Sequence, residues 1–166
     1  LLANLWRRLF RRGSSIPPSS TPPSSTYPDS LLRGLANKKC VDSGGVTAEA
    51  FVPDPRTAKD RTDGMVETSI NWEDSGDVLQ KTFDERNVAN GLPAYPFGVG
   101  RVNRADVDHL VEKPAIAAVL AYERREEPGK PYHGNLLFKA DLTNVRQRMI
   151  ASALAVVADL VSPPKT

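Results

Sequence analysis

Apolar positions along this chain fall into strong periodic patterns in its last third and almost none in residues 13–29. The clearest pattern is helical. Leu142, Val145, Met149, Leu154, Val156, Val157, Leu160 and Val161 recur at three- and four-residue spacings, with Ala151, Ala153, Ala155 and Ala158 between them. Three- and four-residue spacing is that of a helix, and alanine is the best helix former, so a helix is expected from about Asp141 to Val161. Asp141 or Thr143 can cap its start, and Pro163-Pro164 forbid continuation. From Met149 to Ala158 the pattern is apolar almost all round. Such a helix is covered on more than one side or carries a partner-binding face.

A hairpin is expected just before it. Its first arm is the apolar run from Ala115 to Arg124, its turn Glu126 to Pro131, and its second arm Tyr132 to Lys139. Met65 to Trp72 alternates Val66, Thr68, Ile70 and Trp72 with Glu67, Ser69 and Asn71, the period of a half-buried strand. A helix is expected from about Asp77 to Arg86. Pro93 and Pro96 delay any following strand to about Phe97 and place it at a sheet edge. Asn103 can cap a short helix through Asp106 to Val111. Asp29 or Ser30 can cap a helical turn through Leu31, Leu32 and Leu35. Val46 to Val52 fits a strand or a helical turn capped by Thr47, and Pro53 to Gly64 reads as a surface loop. The fold class is α+β: a small, mostly antiparallel sheet with helices on one face, and the C-terminal amphipathic helix packed on it.

Residues 1–12 have another character. Leu1, Leu2, Leu5, Trp6, Leu9 and Phe10 cover one half of a helical wheel, and Arg7, Arg8 and Arg11 lie opposite, with Arg12 at the boundary. Such a basic amphipathic helix lies on anionic membranes or docks in a groove, and is too short to cross a bilayer. It lacks the apolar core and cleavage site of a signal peptide. Residues 13–29 read as a disordered Pro/Ser/Thr-rich linker, in which PPSST occurs twice from Pro17 to Thr26. One domain is expected over 30–162, with a tail at 163–166.

Composition refines this picture. A length of 166 residues with 40% hydrophobic and 25% charged side chains suits one ordinary domain. The single Cys40 excludes an internal disulfide, suits a reducing compartment and reads as structural. The net charge of +2 comes from the start of the chain: from Ser30 onward 18 basic residues face 19 acidic ones. The folded part thus offers no electrostatic case for nucleic acid. The expected location is cytoplasmic, with membrane-peripheral contact through residues 1–12.

Few residues suggest chemistry. His133, in Tyr132-His133-Gly134-Asn135, can act as a general base, with Glu123 or Glu126 across the hairpin to orient it. Asn135 and Asn71 would complete such a site, Asn71 lying at a strand end where pockets form. The plainer alternative is a histidine bonded to its own turn. Asp106-Val107-Asp108-His109 offers ligands for Zn²⁺ or Mn²⁺, and on a helix Asp106 and His109 share a side. No second ligand pair accompanies them. Gly98-Val99-Gly100-Arg101 lacks the third glycine of a dinucleotide site, and no cofactor is expected. The functional expectation is a non-enzymatic protein-interaction or accessory domain on a flexible N-terminal linker. The alternative is a small hydrolase or transferase using His133.

Overall fold

A computed structural model describes residues 27–117 and 119–164. The helix expected over residues 1–12, and the linker as far as residue 26, lie outside the described residues.

Six strands form one antiparallel sheet: β1 (Ser30–Gly34), β4 (Met65–Trp72), β5 (Val99–Asn103), β6 (Leu120–Arg124), β7 (His133–Lys139) and β8 (Asp159–Val161). Their order is β6-β7-β4-β1-β5-β8, and β2 (Val41–Asp42) and β3 (Gly45–Val46) make a separate small ladder. The helices are α1 (Val78–Asp84), α2 (Arg104–Val111), α3 (Pro114–Ala117) and α4 (Asn144–Val157). The α+β class, the antiparallel sheet and the C-terminal helix are as the sequence suggests.

The alternation in β4 is the backbone of the core. Val66, Thr68, Ile70 and Trp72 are all buried on one face, where Ile150, Ala151 and Leu154 of α4 pack with Leu31, Leu120, Leu136 and Phe138. Burying a leucine or isoleucine side chain of this kind stabilises a fold by roughly 1.5–3 kcal/mol. Strand β1 corrects the expected helical turn at Leu31, Leu32 and Leu35. Both Leu31 and Leu32 are fully buried because β1 is a central strand covered on both faces, and such strands lose the alternation that marks them. Its ladder with β4 covers Leu31↔Trp72 and Leu32↔Asn71. Beyond it, the Arg33 guanidinium bonds the carbonyls of Ala50 and Ser69 at 2.6 and 2.8 Å. Burial pushes its pKa down.

Four further expectations need correction. The strand expected from Ala115 begins at Leu120, because Pro114 opens α3, where its missing N–H leaves no bond unmade. Helix α4 ends at Val157, not Val161. Ala158 turns extended, and Asp159 to Val161 pair with Val99 to Arg101. Strand β5 is therefore not an edge strand. Gly98, with φ of 112°, makes room for β8: a Cβ there would lie 2.7 Å from the Val161 carbonyl. Finally, the helices occupy both faces. Val78 of α1 packs with Leu32, Val99 and Tyr132 in a second cluster on the opposite side of the sheet.

Local chemistry explains the helix starts. Thr143 Oγ1 accepts a hydrogen bond from the Arg146 N–H and caps α4; Asp141 does not serve. Asn103 stands at the start of α2 without a side-chain cap bond. Thr47 precedes the 3-10 turn Ala48–Ala50, and its hydroxyl donates to the Lys39 carbonyl. The loop expected over Pro53 to Gly64 contains a 3-10 turn at Pro55–Asp60.

Candidate functional site

Pairing register gathers the candidate catalytic residues on one face of the sheet, opposite α4. Glu123 on β6 stands beside Asn135 on β7, and Asn135 beside Ser69 on β4. His133 and Asn71 form the next cross-strand pair on the same face. His133, Asn135, Asn71 and Glu123, separated by up to 64 residues, are thus neighbours because side chains two apart on each strand point the same way.

Their partners divide them into two groups. The Asn135 amide donates to Glu67 at 3.2 Å and to Glu123 at 3.1 Å. Arg61, folded over them after the Pro55–Asp60 turn, bonds Glu67 at 2.9 Å, Glu123 at 2.7 Å and Asp63 at 2.5 Å. Its hydrogen bond holds the Glu123 carboxyl below its ordinary value and holds Asp63 down to about 2. A carboxylate this firmly ionised and occupied is a poor proton acceptor near neutral pH. Asn135 Oδ1 is buried and accepts no hydrogen bond among the described residues.

Asn71 belongs to the second group. It is buried beneath α1, and its amide donates to Thr82 at 2.9 Å and Glu85 at 3.0 Å. Glu85 also receives Lys130 at 2.5 Å and the Tyr95 hydroxyl at 3.4 Å. Burial, with Glu85 adding to it, pushes the Tyr95 phenol up.

His133 lies between the groups. Its Nε2 is 3.5 Å from Ser69 Oγ and 3.6 Å from Glu127 Oε1. Glu126 pairs instead with Arg124. A serine and a carboxylate therefore meet the same ring nitrogen. A relay needs them on opposite nitrogens, so that the acid orients the ring while the base takes the hydroxyl proton. The adjoining cleft, lined by Ser69, Asn71, Tyr95, Lys130 and His133 among others, holds about 20 Å³, room for roughly one water. Gly134 beside the histidine serves packing. A Cβ there would lie 2.3 Å from Trp72 Nε1, which donates to the Glu123 carbonyl on β6.

Sequence reasoning missed Ser69, Arg61, Glu67 and Glu85. Ser69 shares the strand phase of Asn71 and was within reach of the alternation. Arg61 and Glu85 are brought in by loop and helix packing, which no local pattern encodes.

The residues considered for a metal lie on α2. His109 faces Glu112 at 3.6 Å, and Asp108 is held by Arg104 and the Tyr122 hydroxyl, each at 2.6 Å. Asp106 stands in the first turn of that helix. No group of three or more His, Cys, Asp or Glu side chains able to hold a metal occurs among the described residues. Cys40 is buried in the core.

A different surface lies on the other side of the sheet. Helix α4 buries Ile150, Ala151 and Leu154, and turns Val145, Met149 and Val156 away from the core. These are 78%, 46% and 48% exposed, at positions that share one helix face with exposed Ser152. Among the described residues no helix is long and apolar enough to cross a membrane. No family model, no curated protein and no solved structure matches this chain.

Proposed function

We propose that this chain is a non-enzymatic interaction domain whose docking surface is the outward face of α4. The observation that carries the reading is the row Val145, Met149 and Val156, apolar side chains held in solvent on a helix whose opposite face already fills the core. A surface helix ordinarily places charge there, and exposed apolar side chains gathered on one helix face favour a site of association. Exposed Leu160 lies shortly beyond it on β8. The proline-, serine- and threonine-rich stretch before Tyr27 would tether the domain to whatever residues 1–12 engage.

Met149→Glu tests the reading. Its side chain is half exposed, so the melting temperature is expected to stay within about 2 °C, an effect below ~0.5 kcal/mol. Proteins captured by the full chain from extract are expected to be lost from this variant. Identical captured sets from both chains would end the proposal.

The Ser69–His133 contact favours a second reading, a small hydrolase or transferase with His133 as general base. It requires Glu127 to leave Nε2 when substrate arrives. An activated Ser69 would be labelled by a fluorophosphonate, and His133→Ala would abolish that label. An unlabelled wild-type chain eliminates the serine route.

A further inference from the structure

We infer that Asn90 is a site of self-modification, at which the Gly91 backbone nitrogen attacks the side-chain amide and leaves aspartate and isoaspartate in the chain. The inference is independent of the docking and hydrolase readings. Asn90-Gly91 is the one Asn-Gly pair in the sequence, and both residues are exposed in the loop between α1 and β5. That loop is a tight hairpin. The Asn87 N–H donates to the Leu92 carbonyl at 2.8 Å, and Arg86 pairs with Pro93. Glycine turns it because φ at Gly91 is 68°, and a Cβ there would meet nothing within 4 Å.

Two features prepare the reaction. The Leu92 N–H donates to Asn90 Oδ1 at 3.0 Å. It is aimed at the oxygen that gains negative charge when the amide carbon is attacked, as an oxyanion donor is. The second feature is that glycine has no side chain to crowd the attacking nitrogen. Asn37 and Asn87 share the side-chain arrangement, each accepting at 2.9 Å from the N–H two residues on, but Lys38 and Val88 follow them. Asn71 and Asn135 are buried. The brake is the bond from the Gly91 N–H to the Asn87 carbonyl, at 2.8 Å. An exposed loop tip opens locally at little cost, which frees that N–H for hydroxide. Once the proton is gone, the bond from nitrogen to Cγ forms. The Cγ–Nδ2 bond then breaks, and ammonia leaves with a proton taken from water. Water opens the cyclic imide at either carbonyl, giving aspartate or isoaspartate.

Asp63-Gly64 is the comparison within the same chain. Gly64 also has a positive φ, of 72°, but Arg61 holds the Asp63 carboxyl ionised. Cyclisation there needs the protonated acid, and the ion pair withholds it.

The test is incubation of the full chain at physiological temperature, at mildly alkaline and at mildly acidic pH, followed by peptide mapping. Methyl transfer by an isoaspartyl methyltransferase reads the isoaspartate. Asn90 is expected to convert before every other asparagine and before Asp63, faster at the alkaline pH, with release of ammonia. Asn90→Gln is expected to lose the methyl label, because the longer side chain cannot close the same ring. An Asn90 that stays intact in the folded chain overturns the inference, and so does another residue converting first. Conversion seen only when the same chain is unfolded in urea also overturns it, because the turn would then protect Asn90.

Discussion

Arg61 sets one positive charge among three carboxylates, Asp63, Glu67 and Glu123, and its side chain is only 10% exposed. Without it, Glu67 would keep Arg125 at 3.3 Å and Glu123 the Asn135 amide at 3.1 Å. Arg61→Met is therefore expected to cost about 1–3 kcal/mol at pH 7, more than a solvated pair and less than a fully buried one. The pH dependence is the sharper sign. Glu123 and Asp63 have folded pKa values below their ordinary 4.5 and 3.8, with Asp63 at about 2. Their contribution is full above those ordinary values and is lost as pH falls through the lowered ones. The wild type should thus lose stability from about pH 4.5 downward. In Arg61→Met the clustered carboxylates bind protons more readily in the folded chain, so stability should fall less over that range, or rise. Urea unfolding at about pH 7, 4 and 2.5 compares the two; parallel acid limbs would show that Arg61 does not couple to these carboxylates. The sequence could name Asn135 and Glu123 because they sit on a regular hairpin. It could not name Arg61, since a charged loop looks solvated whether or not one of its side chains is folded inward.

At the scale of elements, legibility followed exposure. Strand β4 is read with its ends because one face is buried and the other carries polar side chains, the condition under which period two survives. Strand β1 is misread because Leu31 and Leu32 are buried on opposite faces, and a short apolar run looks alike as strand or helix. The middle of α4 is read correctly and its end is not. Leu160 and Val161 happen to continue the helical spacing, but pairing with β5 gives their backbone a ladder that the spacing cannot foresee. The same helix shows what hydropathy leaves undecided. Ile150 and Leu154 are apolar because they fill the core, whereas Val145, Met149 and Val156 are apolar yet only partly covered among the described residues. Pattern alone marks the two sets identically, and only packing separates a core face from an exposed one. Pairing register sets His133, Asn71, Asn135 and Glu123 on one face of the sheet, while side-chain partners tie Asn71 to Thr82 of α1 and Asn135 to the carboxylates that Arg61 holds.

Across the whole molecule, the chain's entry is fastened to the core on the same side of the sheet as α4. Tyr27, read from sequence as linker, stacks within 5.1 Å of both Trp72 and Tyr122, which contact each other at 5.4 Å. A polar chain continues from this cluster. The Tyr122 hydroxyl donates to Asp108, Asp108 pairs with Arg104, and Arg104 donates to the Pro28 carbonyl. Strands β4 and β6, helix α2 and the start of the domain are thereby joined through one aromatic cluster and one ion pair. Removing the ring should loosen all of them together. Tyr27→Ala in the full chain is expected to lower unfolding stability by about 2–3 kcal/mol, a lost transfer term plus the cavity left beside Trp72. Guanidinium unfolding followed by tryptophan fluorescence measures it, because Trp72 is fully buried beneath this ring. A change under ~0.5 kcal/mol would place the domain's effective start at β1. A loss of the expected size places it at Tyr27, so that the tether begins on the face from which α4 presents Val145, Met149 and Val156.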